Sequence, residues 1–178
     1  MKYLLTGQQT ERLFLREIST SDFPAWLEFF KHPAAFEHWI AEVESPEREC
    51  EKWYEKQFHR YENNLGGMNA LIEKQTGKLI GHCGLLVQTV DEVTDLEIGY
   101  SLLPTFWNKG FASEAAKKCR DFAFENNFAT SLISIISVTN TPSQGVAIKN
   151  GMRIDKLTNY RGNKVIIYRV DAIDFKAR

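Results

Sequence analysis

One stretch limits the fold more than any other, because residues 94–138 read as strand, turn, helix and strand in succession. Thr94-Asp95-Leu96-Glu97-Ile98-Gly99-Tyr100-Ser101 alternates, with Leu96, Ile98 and Tyr100 on one face and Asp95, Glu97 and Gly99 on the other, the period of a strand. Ala112, Ala115, Ala116, Cys119, Phe122 and Ala123 then recur at helical spacing, with Glu114, Lys117, Lys118, Arg120 and Asp121 between them. That pattern predicts an amphipathic helix with one buried face. Leu132-Ile133-Ser134-Ile135-Ile136-Ser137-Val138 is nearly continuous and β-branched, as expected for a strand covered on both sides. A strand, a crossover helix and a second strand of this kind pair in parallel.

The turn inside this unit, Pro104-Thr105-Phe106-Trp107-Asn108-Lys109-Gly110-Phe111-Ala112-Ser113-Glu114-Ala115, carries the first functional signal. A helix start presents unpaired backbone N–H groups and roughly half a positive charge, so small residues there let an anion approach the backbone. Asn108, Lys109, Gly110, Phe111, Ala112 and Ser113 are therefore read as a pyrophosphate cradle, with Lys109 adding a cation. The alternative is an ordinary loop and helix start. The motif lacks the Lys-Ser/Thr ending of a P-loop and the further glycines of a dinucleotide fingerprint, which argues against ATP, GTP or NAD.

Around this unit the expected elements are mostly antiparallel. Arg12 to Ile18 reads as a strand, and Ser19-Thr20-Ser21-Asp22 caps a helix carrying Phe23, Trp26, Leu27 and Phe30, which His32-Pro33 ends or kinks. Ser45-Pro46 opens a helix with Cys50, Trp53, Tyr54, Phe58 and Tyr61 on one face, up to Asn63; Phe36 to Val43 is aromatic and poorly periodic. Met68 to Glu73 and Lys78 to Val87 form a hairpin around Gln75-Thr76-Gly77, and Arg153 to Asn159 with Lys164 to Val170 form another around Arg161-Gly162-Asn163. The fold class is α/β (α+β): a single domain with a mixed, mostly antiparallel sheet, a central parallel pair and helices on both faces.

After the second central strand come Asn140-Thr141-Pro142-Ser143 and then Lys149-Asn150-Gly151-Met152. With Thr10-Glu11-Arg12-Leu13-Phe14-Leu15-Arg16 and Trp107-Asn108-Lys109-Gly110-Phe111-Ala112, these motifs make the chain resemble the GNAT superfamily of acetyl-CoA-dependent N-acetyltransferases. Within it, the chain is most similar to the ribosomal-protein alanine N-acetyltransferase branch. The resemblance implies that the two parallel strands splay, so that the pantetheine arm pairs with the edge Tyr100-Ser101-Leu102. It also implies coenzyme contacts at Asn140, Ser143 and Lys149, with acetyl-CoA as cosubstrate and no metal.

Acetyl transfer to an amine needs a neutral nitrogen, a polarised thioester carbonyl and a proton for the leaving thiolate. Glu97 is the carboxylate placed to take the amine proton, directly or through water, and the resemblance favours a carboxylate in this strand. Its alternative is a solvated strand residue; Asp95 shares the face further from the cradle. Many members of the superfamily place a tyrosine on the helix after the second central strand, but the count puts Ala147 there; the resemblance to the branch, which tends to place a serine near the cofactor sulfur, implies Ser143 as the candidate donor to the thiolate. Its alternative is the N-cap of a helix from Val146 to Asn150. The thioester oxygen is expected to meet a backbone N–H near Ile98 to Tyr100. Trp39 and Trp53 are either packing or part of an acceptor lip.

Composition narrows the partners. A formal net charge of −1 with scattered basic residues argues against nucleic acid. Cys50, Cys83 and Cys119 are odd in number and form no metal-spaced set, which suits buried small hydrophobes in a reducing compartment. His32, His38, His59 and His82 are dispersed. With neither a signal peptide nor a membrane-spanning run, a cytoplasmic location is expected. The expected partners are acetyl-CoA and an amine acceptor, the chain acting as a monomer or homodimer. The acceptor is a protein N-terminus such as that of a ribosomal protein, or a small amine or antibiotic. A catalytically silent acyl-CoA sensor would keep the cradle without needing Glu97 or Ser143.

Overall fold

The computed structural model describes residues 2–38 and 43–176. Seven strands, β1 (Leu13–Arg16), β2 (Gly66–Glu73), β3 (Leu79–Val90), β4 (Val93–Leu102), β5 (Ser131–Ser137), β6 (Arg153–Tyr160) and β7 (Asn163–Asp171), form one sheet. Its order is β1-β2-β3-β4-β5-β7-β6, antiparallel throughout except for β4 beside β5. The helices are α1 (Phe23–Lys31), α2 (Pro46–Glu62), α3 (Phe111–Glu125), α4 (Thr141–Lys149) and α5 (Ala172–Lys176). No helix among the described residues is long and apolar enough to cross a membrane.

The expected helix boundaries follow from capping chemistry. Ser19 and Asp22 form a reciprocal capping box before α1, and Ser45 caps α2 with Pro46 at its first position. The sheet then separates two cores. On one face Leu85, Leu96 and Ile98 pack with Ala115, Cys119 and Ala123 of α3 and Ala147 of α4. On the other, Trp26 and Phe30 of α1 and Cys50, Tyr54 and Tyr61 of α2 cover Ala70. Trp53 joins this second core, 5.5 Å from Trp26 and 4.6 Å from His82 between ring centroids; Trp39 lies outside the described residues. Strand β5 is buried on both faces, since Leu132 and Ile136 join the first core while Ile133 and Ile135 pack with Val90, Val165 and Ile167.

Cys50, Cys83 and Cys119 are buried free thiols, as expected, but not every charged position of α3 is free. Glu114 and Arg120 stand at charged positions of α3, yet both are held by the fold. Glu114 binds Thr10 and Arg12, and buried Arg120 donates to the Asn150 carbonyl at 2.8 Å while pairing with Asp121. Cys83 and Cys119, far apart in sequence, meet between β3 and α3 with sulfurs 3.4 Å apart.

The crossover leaves a gap in the sheet. β4 and β5 pair only at Leu96 with Leu132 and Glu97 with Ile133. Beyond them β4 stays on β3 as far as Leu102, and β5 stays on β7 as far as Ser137. Past Glu97 each strand is thus held by its outer neighbour, and the two diverge.

Candidate active site

Where β4 and β5 part, a cavity of about 220 Å³ opens, lined by Met68, Glu97, Gly99, Tyr100, Ser101, Ser134, Ser137, Asn140 and Ser143 among others. The expected carboxylate, serine and asparagine, far apart in the chain, share one cleft. Ser134 bridges the split by donating its hydroxyl to the Ile98 carbonyl at 2.8 Å. That carbonyl therefore faces β5, and the alternation of a strand turns the Tyr100 backbone to the same open side. Tyr100 and Ser101 of the expected edge line the cavity, while the Leu102 carbonyl is taken by Trp107 Nε1 at 2.7 Å.

Glu97 is half-buried in the cleft and is not a freely solvated strand residue. Gln88 Nε2 donates to its Oε2 at 2.8 Å, and Gln88 Oε1 in turn accepts from Arg60 Nη2 at 3.0 Å and Tyr160 Oη at 3.2 Å. Two donors on its oxygen fix the Gln88 amide with its N–H toward the carboxylate. Burial raises the Glu97 pKa above the usual carboxylate range; Gln88, the Ile135 amide, Arg60 and Lys56 moderate the rise. Asp95 is instead clamped by both terminal nitrogens of Arg169, at 2.9 and 3.0 Å.

The capping alternative for Ser143 is corrected. Helix α4 begins at Thr141, and the Asn140 side chain is its N-cap, accepting from the Ser143 amide at 3.1 Å. Ser143 is in the first turn, its hydroxyl free of capping duty, and its carbonyl accepts from Tyr100 Oη at 2.7 Å. Ala147, where the resemblance led one to look for a tyrosine, is buried in the core, and Tyr100 of β4 reaches α4 across the gap. Burial pushes the Tyr100 phenol up, so it stays a donor. Lys149 is exposed at the far end of α4, and the structure does not bring it to the cavity.

The turn from Asn108 to Ser113 follows the end of β4. Gly110 adopts φ +82° and serves as the N-cap of α3 without a side-chain cap, a conformation that disfavours any side chain. The first i→i−4 bond of the helix runs from Glu114 N to Gly110 O, so the amides of Phe111, Ala112 and Ser113 precede it. A Cβ built on Gly110 would meet only Arg12 Nη2, at 3.4 Å. A bare, electropositive helix start of this kind fits the diphosphate of a coenzyme.

The turn is braced from behind by the N-terminal segment. Arg12 Nη1 donates to the Lys109 carbonyl at 3.0 Å, its guanidinium lies 4.2 Å from the Phe111 ring centroid, and Arg12 Nε reaches Glu114 at 2.7 Å. Burial alone would raise the Glu114 pKa, but hydrogen bonds from Thr10 and Arg12 bring it below the usual value. The sequence reading missed this brace and the Gln88–Arg60–Tyr160 support, because both join residues more than twenty positions apart. The signal in the sequence was a polar Gln88 directly after the apolar run Leu85-Leu86-Val87.

A family profile described as Acetyltransferase (GNAT) domain matches residues 12–153. The Bacillus subtilis protein YkkB is 32% identical over 96 residues, which is 54% of this chain and 56% of YkkB, so the chain spans about half the length of that curated relative. An acetyltransferase from Agrobacterium tumefaciens str. C58 superposes with a TM-score of 0.78 over 96% of both chains, at 26% identity. RimL, a ribosomal L7/L12 alpha-N-protein acetyltransferase solved in complex with coenzyme A, shares the fold with a TM-score of 0.72, covering 93% of this chain and 97% of its own at 16% identity.

Proposed function

The chain belongs to the GNAT acetyltransferase family, and from that premise we propose that it transfers the acetyl group of acetyl-CoA to a primary amine in the cleft between β4 and β5. The observation that carries the reading is the convergence of Glu97, Tyr100, Asn140 and Ser143 on one cavity at the point where the two strands part. When bound, acetyl-CoA supplies an activated acyl thioester. The amides of Phe111 to Ser113, with Lys109, would hold its diphosphate, and the open backbone of Tyr100 would pair with its arm.

Glu97 takes the proton from the incoming ammonium. Its raised pKa suits it to this task better than an exposed carboxylate, since a base close to working pH both accepts and releases a proton readily. Gln88 donates to Oε2 and the Ile135 amide to the same carboxylate, which hold it in place while lone pairs remain for the amine. The Tyr100 Oη bond to the Ser143 carbonyl fixes the start of α4 and so aims the Ser143 hydroxyl, which donates a hydrogen bond to the departing sulfur or relays one from water. An α-amine with a pKa near ~7.7–8.0 demands less of the base than a lysine-like amine near ~10.4, which favours a peptide N-terminus as acceptor.

Incubation with acetyl-CoA and a panel of peptide N-termini, small amines and aminoglycosides, read by release of free thiol, tests the reading. Turnover with a peptide α-amine is the expected result. Tight acetyl-CoA binding without thiol release on any amine would instead make the chain an acyl-CoA sensor.

A further inference from the structure

Arg60 and Lys56 act on the Glu97 carboxylate by charge, and a third cation, Arg161, acts on Lys56. Buried Arg60 lies one amide's width away, through Gln88, and spends Nη1 on the carbonyls of Leu65 and Val87. Arg161 follows Tyr160 in the β6–β7 turn, its guanidinium 5.2 Å from the Tyr160 ring centroid, while Tyr160 itself binds Gln88. Lys56 lies one turn before Arg60 on α2, the spacing at which side chains share a helix face. The three cations feel one another: burial first, then Arg161 and Arg60, lower the Lys56 pKa to about 8, against the pull of Glu97.

Among the described residues, no carboxylate stands within ion-pair distance of Lys56, Arg60 or Arg161. Asp91 pairs instead with Lys156, and both Asp95 and Asp155 pair with Arg169. One ionised Glu97 therefore stands against three cations that have no carboxylate within ion-pair distance.

We propose that the acceptor is an acidic N-terminal peptide, its α-amine at Glu97 and a side-chain carboxylate of its second or third residue between Lys56 and Arg161. The proposal rests on the reading that Glu97 receives the amine. An extended chain advances ~3.3 Å per residue, so such a carboxylate stands one or two residue lengths from the amine. A polyamine or aminoglycoside would set its further cations among Lys56, Arg60 and Arg161, where like charge repels it, and the same charges steer an acidic peptide inward.

Three tetrapeptide amides, Ser-Asp-Glu-Ala, Ser-Asn-Gln-Ala and Ser-Lys-Lys-Ala, with spermidine and free glutamate, form the test. Thiol release gives kcat/KM, and calorimetry gives the affinity of each probe for the enzyme with and without coenzyme A. The acidic peptide should exceed the neutral one by about tenfold or more in kcat/KM, with an advantage that shrinks on adding salt. The Lys56→Glu/Arg161→Glu double variant should abolish that advantage, while leaving acetyl-CoA affinity in place. Equal or better use of the neutral or basic peptide, or an advantage that survives in the double variant, overturns the proposal. So does glutamate outperforming every peptide, which would move the acceptor to a free amino acid. If acetyl-CoA itself does not bind, the acetyltransferase reading fails, and the affinities of the three peptides still decide the question of charge.

Discussion

The proposed pyrophosphate cradle and the Glu97 cleft are built in opposite ways. The cradle is local: Asn108 to Ser113 are contiguous, and their role depends on backbone amides, one left-handed glycine and a helix dipole. The Glu97 end is assembled from α2, β3, β4, β5 and the tip of the β6–β7 hairpin, which meet at a single carboxylate through Gln88, Arg60, Ile135 and Tyr160. A backbone site of the first kind tolerates many side chains but depends on its glycine and its brace. A side-chain site of the second kind depends on each supporting residue.

The largest effect should come from the assembled end. Glu97→Gln keeps shape and the chance of a hydrogen bond but cannot take a proton, so kcat should fall about a hundredfold or more with acetyl-CoA affinity unchanged. In the wild type, kcat/KM should rise with pH through a limb set by the raised Glu97 pKa, above the ordinary carboxylate range, and this limb should vanish in the variant. A hundredfold loss of coenzyme affinity instead would show that the two ends are not separable.

The local end should fail in the complementary way. Gly110→Val forces a β-branched residue to φ +82° and covers the approach to the α3 amides, costing about 1–2 kcal/mol of backbone strain and weakening acetyl-CoA binding about tenfold or more. The KM of the acceptor should hold. Calorimetric titration of a folded variant with unchanged affinity would remove Gly110 from the site.

The two faces of the sheet should also differ with pH. On the α1–α2 face His82 is fully buried against Trp26 and Trp53, neither ring nitrogen has a hydrogen-bond partner, and burial lowers its pKa from 6.5 to about 3. The unfolded chain then binds a proton that the folded chain refuses, so stability is complete above about pH 6.5 and declines as pH falls toward 3. Between pH 6.5 and 5.5 this loss should be about 1 kcal/mol. Denaturant titrations of a His82→Leu variant should show that slope reduced.

The smallest contrast lies within α4. Asn140→Ala removes the true cap and should cost about 0.5–2 kcal/mol. Ser143→Ala should leave the melting temperature nearly unchanged and slow single turnover. Equal destabilisation by both substitutions would return Ser143 to a structural role.

Much of the local end was legible, and the reason is physical. Strand β4, the glycine turn and α3 follow one another, so periodicity, a missing side chain and a helix start all lie within 22 residues from Thr94 to Ala115. The caps of α1 and α2 were legible for the same reason: Ser19 and Ser45 act within three positions of themselves. Counting positions failed at α4, where helix entry moved to Thr141 and the capping role passed from Ser143 to Asn140. Nothing in spacing distinguishes which of two polar residues will face the first turn.

By itself the sequence determined the parallel β4–α3–β5 unit, the glycine turn before α3 and Glu97 as the carboxylate on the polar side of β4, because each is set by backbone geometry acting over a few residues. Tertiary structure alone decided where β4 and β5 part, that Arg12 and Glu114 brace that turn, that Tyr100 Oη reaches the Ser143 carbonyl, and that Gln88, Arg60, Tyr160 and Lys56 support one acid. Those pairings cross the sheet or join its helices to it, and side-chain hydrogen bonds and charge act through space at a few ångströms, irrespective of distance along the chain.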